Sequence, residues 1–533
     1  MLDWTTLLHH KLINAEHKMG WTIHWWKIYL GLVLLVSGVL RLGFLSMMEF
    51  RHDSAYWALE GYRILQGNYY PLIGQQVGSV QSPLYNGPAL SYITAAIFAV
   101  FGYQPIAVAA FIALLNVLGV YIVYLLGNCL YSRNVGLILA TLASVSPWMV
   151  LYGRMFWPQS LFPFLIPLAF LFLIRALETD KIVYYVLFGV LLGLGVQLHL
   201  SVLALVGTGF LVLLIYSKTR LKSLVYAPSI ALGYIPNIIY DLTSNFVHIR
   251  GIVSLPSIHS TDEPRVVHFA KTIWNFTNVL SGQGMWVSKL SKSQYLPSVI
   301  DWTQGILYSL IFTACLILIF YNAIRYTEGS WRNVRISYKD AVVLLFLLLP
   351  LAYLFFSESP IQRHYFLFLY PMPLLVIARG LELWRLQFSP KYGISKANLF
   401  VFAIIPILCS LNLVTLGYGY HFLEKTGGQG EYGTVLSDKQ RVVNYIIEHS
   451  GGQYKVDLDG VQELLPYVFL FQARGEIVID GDIMIAHSIQ SYPSSHDLPK
   501  YRIVETNYHS MVPKTGERII FQSRGVVVLS SNN

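Results

Sequence analysis

Long apolar runs recur along the chain as far as about residue 416, and the short segments between them repeatedly carry Lys or Arg. This pattern constrains the fold more than any single motif. About 20 apolar residues suffice to cross a bilayer as a helix. In lipid every backbone polar group must be satisfied within the protein, which leaves helices or a closed barrel. A water-soluble core cannot absorb so many runs, because only 12% of the residues are charged, about half the share usual in soluble domains. The expected fold is mostly α: a polytopic membrane helix bundle of about eleven spans plus re-entrant or interfacial helices, with a small C-terminal α/β domain.

Trp21, Trp25, Trp26 and Lys27 read as an interfacial anchor before the first run. Residues 1–26 are polar and no small-residue cleavage site follows, so that run is read as a retained span. The spans fall at about 28–46, 105–127, 135–150, 160–174, 183–198, 201–216, 224–240, 304–322, 341–356, 365–378 and 398–416. Residues 89–101 are too few to cross and are read as interfacial or re-entrant. With that choice, Arg133, Arg175, Lys181, Lys218, Arg220, Lys222, Lys339 and Arg379 all share one side, as the positive-inside rule requires. If 89–101 crossed, every later loop would invert and the rule would fail. The chain is therefore expected in the cell (cytoplasmic) membrane as a multi-pass protein, with loops 47–87 and 241–303 outside. Arg41, near the end of the first span, is expected to snorkel or to face a polar cavity.

Beyond 416 the character changes. A Gly-rich linker (417–433) leads to a plausible helix at Asp438–His449 capped by Ser437. Strand-like runs follow at Tyr454–Leu458, Glu476–Ile479, Tyr501–Thr506, Arg518–Gln522 and Gly525–Leu529. The division is thus a transmembrane domain (1–416) and a non-cytoplasmic soluble α/β domain (417–533), in which no catalytic motif is found. Cys129, Cys315 and Cys409 lie in or beside apolar segments and read as small buried hydrophobes rather than ligands or a disulfide framework. The net charge of +9 is spread over short loops, and no RNA or DNA module appears, so no nucleic-acid partner is expected.

Against this apolar background one stretch stands out. Met48-Glu49-Phe50-Arg51-His52-Asp53-Ser54-Ala55-Tyr56-Trp57-Ala58-Leu59-Glu60-Gly61-Tyr62 follows the first span directly. Ionisable groups at a membrane boundary are costly unless they face water or a partner. The cluster reads as an acidic active-site loop with Asp53 as the leading catalytic candidate, or as an ordinary solvated helix end. Other unusual polar residues share its side: Arg154 near Trp157, His199 after Gln197-Leu198, and Arg363-His364-Tyr365. Arginine is disfavoured in short outer loops, and its planar fork suits phosphate. A pocket with a carboxylate, arginines, histidines and aromatics suits an anionic lipid headgroup, the Asp taking a proton from an incoming hydroxyl while Arg groups stabilise a departing phosphate. Each residue also has a plainer reading. His199 could be a hydrogen-bonded helix-end histidine, and Arg154 with Trp157 a cation–π anchor. Arg363-His364-Tyr365 could be a helix start. Glu60, two turns from Asp53, could be a solvated face.

At these residues the chain resembles the GT-C class of integral-membrane glycosyltransferases, and within it the branch holding protein O-mannosyltransferases and the lipid A aminoarabinose transferase. The resemblance runs in order over about 40–380: the Arg51-His52-Asp53 loop with Tyr56, the Ser-Pro-Leu-Tyr-x-x-Pro stretch at 82–88, Ser146-Pro147-Trp148 with Arg154, Gly193 to His199, and Arg363 to Pro371. It implies inverting transfer of a sugar, by hexosyl or pentosyl transfer, from a polyprenyl-phosphate-linked donor, with Asp53 as base. The acceptor would be a glycan, lipid or protein hydroxyl. Two departures stand against the family pattern. Ser54 occupies the place where many relatives have a second acid, and Gln81-Ser82 stand where some have Glu-Lys before the proline. Relatives use such acids for a divalent metal or the acceptor, so metal ligation is left open. The expected site is Asp53 as catalyst, with Arg51, His52, Tyr56, Glu60, Arg154, Trp157, His199, Arg363, His364 and Tyr365 binding substrate. Tyr56, Trp57 and Trp157 would stack on sugar or prenyl. The rival is a secondary transporter or lipid flippase without covalent chemistry, for which paired inverted repeats are the usual sign; none is evident.

Overall fold

The computed structural model describes residues 24–530 except 68, 78–83, 259–263, 284–297, 326–336, 358–361, 429–431, 451–452, 476, 480–482, 487–499, 507–512 and 515. Six of the described helices are long and apolar enough to cross a membrane: Trp25–Leu42, Pro105–Leu130, Pro158–Thr179, Val299–Asn322, Tyr338–Phe356 and Asn398–Thr426. Arg363–Leu369 and Met372–Ser389 form a further apolar pair bent by 55° at Tyr370-Pro371, the geometry of a broken span or a re-entrant segment. Four shorter apolar helices complete the bundle: Ala89–Phe101, Arg133–Val145, Ile182–Leu198 and Leu200–Tyr216. The expected mostly-α bundle with a small C-terminal sheet is what the chain forms.

Several local expectations change. The segment 47–87 is not a loop, because His52–Gln66 is an α-helix. Likewise 241–303 contains helices at Val247–Ile258 and Arg265–Ser281. The single span expected at 224–240 is two short helices, Tyr226–Gly233 and Ile235–Thr243. Arg41 neither snorkels nor faces a cavity. It is 1% exposed and donates to Ser37 Oγ (2.8 Å), Ser144 O (2.9 Å) and Ala143 O (3.0 Å). It therefore satisfies the orphan carbonyls at the C-terminal end of Arg133–Val145, where a cation is favoured.

Residues 453–530 build a six-stranded sheet from β1 (Gln453–Gly460), β2 (Ile477–Ile479), β3 (Ile483–Ala486), β4 (Lys500–Glu505), β5 (Arg518–Ser523) and β6 (Val526–Ser530), in the order β2-β3-β1-β4-β6-β5. β1 and β4 are parallel; the other pairings are antiparallel. The helix expected at 438–449 spans Leu436–His449 with Val435, not Ser437, at its cap. The helix Leu465–Gln472 and strand β3 were not anticipated. Leu465-Pro-Tyr-Val-Phe-Leu-Phe-Gln472 is apolar on every side, so it shows no helical stripe. The last membrane helix runs on to Thr426, past the expected boundary at 416.

The C-terminal unit packs onto the bundle at one pole. Phe469 meets Phe50 and Phe98 with ring centroids 5.9 Å apart in both cases. Leu436 N donates to Met48 O (2.9 Å), and Tyr432 OH donates to Met47 O (2.9 Å). The opposite pole carries ion pairs: Lys222–Asp180 (2.7 Å), Lys339–Glu178 (3.0 Å), Arg379–Asp340 (3.3 Å) and Arg385–Glu382 (2.7 Å).

Candidate active site

At the pole covered by the C-terminal unit lies a cavity of about 500 Å³. That is within the range usual for small-molecule sites. Its polar lining comes from five distant parts of the chain: Glu49, Arg51, His52 and Asp53; Trp148, Tyr152 and Trp157; Asn275; Gln362, Arg363 and His364; and Tyr432 with Glu463.

Asp53 sits in the first turn of His52–Gln66, near the positive end of the helix dipole. Each carboxylate oxygen accepts one hydrogen bond: Oδ1 from Gln75 Nε2 (2.5 Å), Oδ2 from Trp157 Nε1 (3.1 Å). Two donors aimed at a half-buried carboxylate fix its orientation and leave lone pairs toward the cavity.

Gln75 was not singled out in the sequence. It lies on a short antiparallel ribbon in which Gly74 N donates to Asn86 O (2.7 Å), Asn86 N to Gln75 O (2.9 Å) and Val77 N to Leu84 O (2.8 Å). Gly87 N then donates to Gln197 O (2.6 Å), tying the ribbon to the end of Ile182–Leu198. That helix end is set by close packing. A Cβ on Gly193 would stand 2.9 Å from Gly233 Cα, so glycine lets the two helices approach. The motif stretches 82–88 and 193–199 thus meet, and their product is the placement of Gln75.

An aromatic wall runs from Trp148 through Tyr152 (4.9 Å, stacked) to Trp157 (5.9 Å, stacked) and His364 (4.8 Å, edge-on). His364 then meets Tyr365 at 4.6 Å and His199 at 6.2 Å. Neither Tyr365 nor His199 lines the cavity; they support His364 from behind, and His199 Nδ1 is 2.9 Å from Ser201 Oγ. Met149 and Phe276, each next in sequence to a lining residue, line a small separate apolar pocket with Val279, Leu280, Phe366 and Leu369.

Three expected site residues are used elsewhere. Arg154 is 1% exposed, donates to Tyr420 OH (2.7 Å) and Phe44 O, and lies over the Tyr420 ring at 5.0 Å. It braces the turn after the first span, and the left-handed Phe44 sits in that turn. Glu60 is 2% exposed, accepts from Tyr69 OH (2.5 Å) and pairs with Arg63 (3.1 Å). Tyr56 packs edge-on against the buried Trp57, and neither reaches the cavity.

Glu463 is the contribution that sequence reading missed most completely. It arrives from the C-terminal unit, accepts from Arg51 Nε (3.0 Å) and Nη2 (2.8 Å), and takes the backbone N–H of His52. Beside it, burial pushes the Glu49 carboxyl up to about 8, against the opposing pull of Arg51.

Among the described residues no group of three or more His, Cys, Asp or Glu side chains could hold a metal ion. Of the three carboxylates lining the cavity, Asp53 is held by Gln75 and Trp157, Glu463 by Arg51 and His52, and Glu49 lies 4.0 Å from Arg51.

The fold is that of the GT-C class of integral-membrane glycosyltransferases. ArnT from Cupriavidus metallidurans bound to undecaprenyl phosphate aligns with a TM-score of 0.56 at 13% identity, covering 95% of this chain and 98% of that one. Its apo state gives 0.56 at 12% identity with the same coverage. Residues 85–240 match the family model for dolichyl-phosphate-mannose-protein mannosyltransferase. The Archaeoglobus fulgidus oligosaccharyltransferase in complex with Zn and sulfate aligns with a TM-score of 0.49 at 14% identity, covering 79% of this chain and 55% of that one, so this chain spans about half its length. No curated protein sequence matches the chain.

Proposed function

We propose that the protein is a glycosyltransferase that moves a sugar from a polyprenyl-phosphate donor to an acceptor hydroxyl at the non-cytoplasmic face of the membrane. The observation that carries this is the pairing, in one cavity, of an oriented carboxylate with Arg363 and His364 from a distant segment. In this reading the donor phosphate lies against Arg363, and the sugar stacks on the aromatic wall. Asp53 takes the proton of the acceptor hydroxyl as its oxygen bonds to the anomeric carbon. The bond from that carbon to the phosphate oxygen breaks, and polyprenyl phosphate departs with the electron pair, its added charge stabilised by the guanidinium. The outward placement is supported by charge: the opposite pole carries the Lys- and Arg-rich segments expected toward the cytoplasm.

The similarity of fold to a structure holding undecaprenyl phosphate agrees with a lipid-phosphate donor. A carrier would need a polar path between the poles, whereas the polar lining of this cavity lies at one. The test incubates the purified full chain with radiolabelled undecaprenyl-phosphate monosaccharides and membrane extract. Label should pass to an acceptor, and Asp53→Asn should lower the rate by about 10²–10⁴-fold while the protein still inserts. Label that crosses sealed vesicles without leaving its lipid would identify a carrier instead.

A further inference from the structure

The first-loop helix His52–Gln66 begins without a cap of its own: Arg51, at the cap position, makes no side-chain hydrogen bond to the helix. Exposed helix N-termini leave N–H donors unsatisfied and favour a negative charge. Here that charge comes from 411 residues away, as Glu463 accepts the His52 N–H. Its other oxygen accepts from both Nε and Nη2 of Arg51.

The grip is not confined to one side chain. Glu49 bridges to Val435 across an antiparallel contact, and Lys439 Nζ donates to Phe50 O (3.1 Å). Lys439, 2% exposed, pairs with Glu505 (3.2 Å), which is 1% exposed and accepts from Tyr467 OH (2.9 Å) and Gln462 N (3.2 Å). Glu505 therefore ties together the residue that holds Phe50 and the residue preceding Glu463. Gly433 passes so close to Arg51 that a Cβ there would stand 2.5 Å from its Cδ, and its φ of +78° favours glycine as well.

We propose that the C-terminal unit completes the active site, with Glu463 as a positioning residue that fixes the start of the helix bearing Asp53. The function of the unit is then to set the direction of the base, in addition to any role as a surface. The catalytic half of this inference rests on the glycosyltransferase reading; the structural half does not.

The test uses the full chain in lipid nanodiscs and compares wild type, Glu463→Ala and Glu463→Gln. Amide exchange over residues 52–56 should rise at least about tenfold in Glu463→Ala with exchange of β4 and β6 unchanged, and Glu463→Gln, which keeps an acceptor, should recover part of the protection. Where transfer is measured, kcat should fall about tenfold or more with the donor KM unchanged, since misplacing a reacting group costs rate rather than binding. Unchanged exchange over 52–56, or an equal rise throughout β4 and β6, would overturn the proposal by showing that Glu463 is inert or merely braces its own domain. If wild type transfers no sugar, the glycosyltransferase reading fails, while the exchange result still decides the role of Glu463.

Discussion

Trp157 Nε1 donates to Asp53 Oδ2 at 3.1 Å, joining two side chains 104 residues apart. The other oxygen of the same carboxylate is taken by Gln75. In the proposed reaction, a base held from both sides needs little reorganisation before it meets the acceptor hydroxyl.

Loss of either donor should therefore show in turnover. Gln75→Ala and Trp157→Phe each remove one hydrogen bond to a charged group, worth about 1.5–3 kcal/mol. Each should lower kcat by about tenfold to a hundredfold. For Gln75→Ala the donor KM should stay near wild type, because Gln75 is not among the residues lining the cavity. For Trp157→Phe the stacking face survives. A kcat equal to wild type in both variants would show that orientation of Asp53 does not limit the reaction.

Arg363 should govern donor affinity. Arg363→Lys preserves the charge but loses the planar fork, so the donor KM should rise about tenfold, and Arg363→Ala should raise it further. The check is a donor titration at saturating acceptor. A KM indifferent to both changes would place the phosphate elsewhere in the cavity.

Arg154 should behave oppositely. Its bonds to Phe44 O and Tyr420 OH are buried, so Arg154→Ala should cost about 2–3 kcal/mol of stability. The protein that survives should bind donor as wild type does. Thermal unfolding in detergent beside a donor titration separates the two effects, and an unaltered unfolding temperature with weakened donor binding would return Arg154 to the site.

Glu49 makes stability fall with rising pH across the neutral range. Burial lifts its carboxyl in the folded protein to about 8, above the ordinary 4.5, so folding favours the protonated form. That contribution is complete below pH 4.5 and is lost as pH climbs through about 8. Wild type should unfold at progressively lower temperature between about pH 5 and pH 8, with little further change from this group above that. Glu49→Gln, neutral throughout, should lose less. Parallel decline in both proteins would assign the effect to another group.

The sequence by itself determined the class of fold. Apolar runs leave a chain few ways to satisfy its backbone in lipid, and the spacing of Lys and Arg orients the runs; both are local properties. Asp53, Arg51, His52, Trp157, Arg363 and His364 were legible for the same reason, as polar side chains out of place at a membrane boundary, and all six line the cavity. Which of the remaining off-bias residues were structural was not legible. Arg154 and Arg41 stand in comparable surroundings to Arg363 in sequence, yet each is consumed by main-chain carbonyls that only the packing of distant helices brings within reach. Gln75 and Glu463 carry no local signal, because each is an ordinary polar residue in a polar stretch. Their roles arise from a ribbon pinned by Gly87 and Gln197 and from a C-terminal unit docked on the first loop, and long-range contacts of that kind are settled by tertiary packing alone.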